Sequence, residues 1–81
     1  MKKVTILRLE VHLVDGSLMD IPESNPDRFF VKLERLKAQG LEGKELVNKL
    51  ITDDWGAPPI SVVVKGRMED GEVFSFTLPY D

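Results

Sequence analysis

Eighty-one residues are enough for one small domain and leave no room for a second core. The composition, 42% hydrophobic and 31% charged, is that of an ordinary globular chain, and a formal charge of −3 argues against general affinity for nucleic acid. Cysteine is absent, which excludes disulfides and thiolate metal sites and makes a reducing cytoplasm the expected setting.

Met1-Lys2-Lys3 resembles the start of a signal peptide only superficially, because Arg8, Glu10 and His12 interrupt the apolar residues after it. No apolar run approaches the length of a membrane span, so no membrane association is expected. From Val4 to Val14 the side chains alternate. Leu7, Leu9, Val11 and Leu13 fall on one face, with Ile6, Arg8, Glu10, His12 and Val14 on the other, the pattern of a half-buried strand. Asp15-Gly16 marks a turn, and Leu18 to Ile21 returns as a short second strand.

Matching faces selects the register of this hairpin. A two-residue loop would set Asp20 opposite Val11. A three-residue loop, Val14-Asp15-Gly16 with Gly16 in a left-handed bulge, sets Met19 opposite Val11 and Ile21 opposite Leu9, and burial favours it. Pro22 ends the strand because it has no N–H for a ladder.

A helix is expected from Pro26 to about Gln39. Asn25 is its cap, Pro26 sits where a missing N–H costs nothing, and Gly40 closes it. Phe29, Phe30, Leu33 and Leu36 recur at helical spacing and form the apolar face. A short link, Leu41-Glu42-Gly43, leads to a second helix from about Lys44 to Thr52, with Leu46, Val47, Leu50 and Ile51 on one side. So short a link makes the two helices an antiparallel or steeply crossed pair.

Beyond the irregular stretch Asp53 to Pro59, strands are expected over Ile60–Met68 and Glu72–Leu78. Ile60, Val62 and Val64 are read as inward on the first, and Phe74, Phe76 and Leu78 on the second. A bulged Glu69-Asp70-Gly71 loop then places Val64 opposite Phe76 and leaves room at Gly66 for the Phe74 ring. The order β-β-α-α-β-β points to an α+β two-layer sandwich, a four-stranded antiparallel sheet with both helices on one face. Tracing directions up and down joins the first strand to the fourth and proposes the strand order 2-1-4-3, with Leu18–Ile21 and Ile60–Arg67 as edges.

Chemistry-bearing residues are few. His12 is the only histidine and reads as a surface residue beside Glu10 and Arg8, since neither a general base with a partner nor a zinc site can be assembled around it. Asp53-Asp54 comes after a helix C-terminus, where negative charge is unfavourable. The pair reads as turn chemistry, with a cation or a basic partner as the alternative. Trp55, the sole tryptophan, is expected to fold over the helix end, yet its residue type is enriched at binding hot spots. Arg28, Lys32 and Arg35 form a basic stripe on the first helix, which reads as a solvated face or as a contact for phosphates or an acidic partner.

No phosphate loop, nucleophile elbow or metal-ligand spacing is present, so neither an enzyme nor a cofactor or metal is expected. The reading that remains is a protein–protein interaction module: a regulator, inhibitor or adaptor. A nucleic-acid-binding module using the basic helix face, or a small-ligand-binding domain, is the alternative. Asp53, Asp54, Trp55, Arg28, Lys32 and Arg35 are the candidate partner-binding residues. The back of the sheet mixes Ile6, Val14, Val63 and Val73 with charged groups, so a homodimer through that face or a sheet edge is expected.

Overall fold

The computed structural model describes residues 3–51 and 57–80. Its elements are β1 (Val4–Leu13), β2 (Leu18–Pro22), α1 (Pro26–Ala38), α2 (Gly43–Leu50), β3 (Pro59–Met68) and β4 (Val73–Pro79). They form an α+β fold with one antiparallel sheet and two helices, and the local grammar of the sequence accounts for most of it.

Both hairpins close through the bulged loop. The Leu13 N–H donates to the Ser17 carbonyl (3.0 Å) and the Gly16 N–H to the Leu13 carbonyl (3.1 Å), with Gly16 at φ +87°. Met68 and Gly71 repeat the arrangement, with Gly71 at φ +91°. These loops set the registers: Val11 faces Met19, Leu9 faces Ile21, Val64 faces Phe76 and Val62 faces Leu78. Each loop also gains an Asx turn, Asp15 accepting from the Ser17 N–H and Asp70 from the Glu72 N–H. The Ser17 bonds hold the Asp15 carboxyl below its ordinary value.

The Asn25 side chain caps α1 by accepting from the Arg28 N–H at 3.1 Å. Phe29, Leu33 and Leu36 of α1, with Leu46, Val47 and Leu50 of α2, pack on Leu7, Leu9, Val11, Val62, Val64 and Leu78 of the sheet. Leu50 comes to lie beside Phe29 and Lys32, so α2 returns along α1. The Tyr80 hydroxyl donates to the Asn48 side chain and ties α2 to the end of the sheet.

The strand order is β2-β1-β3-β4, not 2-1-4-3. The Glu23 N–H bonds the Leu7 carbonyl as the chain leaves β2, whereas β3 begins beside the far end of β1, where the Val14 N–H bonds the Pro58 carbonyl and Leu13 pairs with Pro59. Up-and-down tracing treats the connection after α2 as a turn in place. A connection of that length can instead reach about 25 Å, enough to carry the chain to the other end of the sheet. Entering there, β3 runs antiparallel to β1, and β4 runs parallel to β1 and cannot join it in an antiparallel sheet. The two ten-residue strands pair along their length at the centre, and the seven-residue β4 takes the edge in place of Ile60–Arg67.

Ile60 departs from its expected face. Leu13 pairs with Pro59 but His12 with Ser61, so Ile60 is the extra residue of a bulge. Pro59 is buried in its place and Ile60 is 54% exposed. A matching irregularity at Thr5 turns Val4 onto the core, although its position in the alternation put it on the back.

Candidate interaction face

Both helices pack on one side of the sheet, and neither covers the other side. Its rows are set by the strand registers. Arg8 lies between Pro22 and Lys65, with Ser75 beyond, and Glu10 lies between Asp20 and Val63, with Thr77 beyond. His12 lies between Leu18 and Ser61. At the opposite end Ile6, Arg67 and Val73 form the last row.

The polar side chains of this face bond one another, diagonally across strands for Arg8–Asp20 and Glu10–Lys65 and along β1 for Glu10–His12. Arg8 grips Asp20 with two nitrogens, Nε at 3.0 and 3.2 Å from the two carboxylate oxygens and Nη2 at 3.0 Å from Oδ2. This fork raises the affinity of the Arg8 guanidinium for its proton. Glu10 accepts from Lys65 Nζ at 2.7 Å through one oxygen and lies 3.0 Å from His12 Nε2 through the other. The Lys65 hydrogen bond holds the Glu10 carboxyl below its ordinary value, with a smaller effect from His12. His12 therefore sits where the alternation put it, in a cross-strand polar cluster.

Aliphatic side chains flank the cluster at both ends. Leu18 and Ile60 are more than half exposed near His12, with Val14 in the adjoining loop, while Ile6 and Val73 are exposed beside Arg67. The second group borders a groove of about 550 Å³ lined by Ile6, Arg8, Lys65, Arg67, Val73 and Ser75. Arg8 and Lys65 are engaged by carboxylates, whereas the Arg67 guanidinium has no hydrogen-bond or ion-pair partner among the described residues. The groove is wide and shallow, which suits another chain's surface better than an enclosed small molecule.

The sequence-predicted site residues divide into two groups. Arg28, Lys32 and Arg35 do share one side of α1; Arg28 and Arg35 are exposed, and Lys32 is half-buried near Asn25 and Leu50. None of their side chains forms an ion pair among the described residues. Asp53, Asp54 and Trp55 lie outside the described residues. Sequence reasoning missed Leu18 and Ile60 as surface aliphatics. Ile60 carries no local mark of its bulge, whereas Leu18 could have been placed on the back from its position opposite His12.

Among the described residues no group of three or more His, Asp or Glu is placed to hold a metal ion. Among them, too, no helix is long and apolar enough to cross a membrane. Comparison with family models, curated proteins and solved structures returns no match, so what the chain does has to be read from its own surface.

Proposed function

We propose that this chain is a non-catalytic protein-binding module, a regulator, inhibitor or adaptor, that meets its partner through the back of its sheet. One observation supports this above the rest: exposed aliphatics stand at both ends of an ion-paired ladder on a face that neither α1 nor α2 covers. Aliphatic area supplies affinity, and the charged rows fix register and exclude wrong partners. Glu10 and Asp20 lie within the same face, and carboxylates there would repel a phosphate backbone. That favours a protein over a nucleic acid as partner.

The test compares capture from a lysate by the wild-type protein and by Ile6→Glu and Arg67→Glu. Both side chains are exposed, so both variants should melt as the wild type does. The expected result is a protein retained by the wild type and lost from the variants. Retention unchanged in both variants, or nucleic acid as the only species retained, would overturn the proposal.

A further inference from the structure

We propose that β4 is a pairing edge whose occupant is the β4 of a second copy, so that two four-stranded sheets join into one of eight strands. The inference rests on the reading that the chain acts by binding protein, and it adds to the back of the sheet a second contact, at the β4 edge, with a second copy as its occupant.

The direction of the free backbone groups comes from two bonds. The Tyr80 N–H donates to the Ile60 carbonyl (3.1 Å) and the Met68 N–H to the Glu72 carbonyl (2.7 Å). In an antiparallel ladder hydrogen-bonded pairs recur every second residue. The pairs Val62–Leu78, Val64–Phe76 and Gly66–Phe74 therefore exchange bonds, and Phe74, Phe76 and Leu78 turn their N–H and C=O toward β3. Val73, Ser75 and Thr77 must turn theirs the other way. No backbone group of the described residues outside the sheet bonds to those three.

An open edge is normally protected by charge, proline or brevity. The opposite edge, β2, has all of these: five residues, with Asp20 and Pro22 among them. By contrast, β4 reads Val-Phe-Ser-Phe-Thr-Leu before Pro79, without a charged side chain. Such a run is a template for another strand of the same kind.

The free groups are also self-complementary. A two-fold axis normal to the sheet and midway between two copies of Ser75 sets Ser75 against the partner's Ser75 and Val73 against the partner's Thr77. Each is a pair that exchanges two hydrogen bonds. Between them Phe74 falls opposite the partner's Phe76 at the close, non-hydrogen-bonded spacing, where cross-strand aromatic pairs are most favourable. Both rings are only half-buried within one copy, where they stack at 6.4 Å under Phe30. Pairing extends that cluster across the axis, and β4 itself carries no charged side chain to oppose it. A strand of this length with its rings buries less than the roughly 800 Å² per partner of a stable complex, so the dimer dissociates on dilution.

Sedimentation equilibrium over a hundredfold range of concentration, with amide exchange on the same samples, tests the proposal. The expected mass rises from monomer to dimer, and the Val73, Ser75 and Thr77 amides exchange many-fold more slowly in the concentrated sample. Ser75→Pro removes only an outward-facing donor, which an edge strand tolerates, and is expected to leave a monomer that melts like the dilute wild type. Monomer mass throughout would overturn the proposal. A dimer whose three amides stay fast, and which Ile6→Glu dissolves, would place the second copy on the back of the sheet. That result would sink the edge while leaving the protein-binding proposal standing. If Ser75→Pro fails to fold, the wild-type exchange pattern decides alone.

Discussion

Phe74 occupies the space that a side chain on Gly66 would need. A Cβ built on Gly66 would lie 2.3 Å from Phe74 Cζ and 2.5 Å from Cε1, well inside contact distance. The two residues face each other across β3 and β4, so the ring lies over the bare backbone of the central strand. Gly66→Ala should therefore destabilise the protein by about 1–3 kcal/mol through overpacking, since the displaced ring also leaves Phe30 and Phe76. A double-mutant cycle with Phe74→Leu checks this: the alanine should cost much less once the ring is gone.

The two hairpin loops make a cleaner backbone experiment. Among the described residues nothing lies within 4 Å of a Cβ at Gly16 or Gly71, so substitution there is opposed by the positive φ. Gly16→Val and Gly71→Val should each lower stability by more than about 1 kcal/mol, and Gly→Asn by distinctly less, because asparagine tolerates the left-handed region. Silent valine variants in thermal melts would contradict the bulged loops.

Ile60 and Val62 share a parity in the sequence but not an environment. Val62 is fully buried, so Val62→Ala should cost about 2 kcal/mol. Ile60→Thr should stay within about 0.5 kcal/mol, as expected of an exposed position. Equal costs for the two would mean that the bulge at Ile60 is absent.

The Glu10 cluster predicts a pH dependence. Its carboxyl is held below its ordinary 4.5 by Lys65, so its contribution to stability is complete above that value and is lost as pH falls through the depressed folded value. The stability difference between wild type and Glu10→Gln, measured by denaturant unfolding, should therefore shrink as pH falls below about 4.5. A difference that grows on acidification would reverse the sign and exclude the Lys65 bond as its cause.

Local features of the fold are legible in the residues alone. Asp15-Gly16 and Asp70-Gly71 select their turns through their own backbone preferences, and the alternation around them admits one register, because a slip of one residue would bury Asp20. Asn25, Pro26 and the spacing of Phe29, Leu33 and Leu36 specify α1 in the same way. The basic stripe of Arg28, Lys32 and Arg35 is a consequence of that helix. Three other features are fixed only by tertiary contacts. Strand order depends on where the chain re-enters the sheet after α2, which is fixed by the pairing of Pro58 and Pro59 with the far end of β1. The face of Ile60 depends on a bulge set by pairing with β1, a strand far away in sequence. The exposure of the uncharged β4 edge depends on β3 lying beside β1. Each is settled by contacts between distant segments, whose energies belong to the assembled core and to no stretch of sequence.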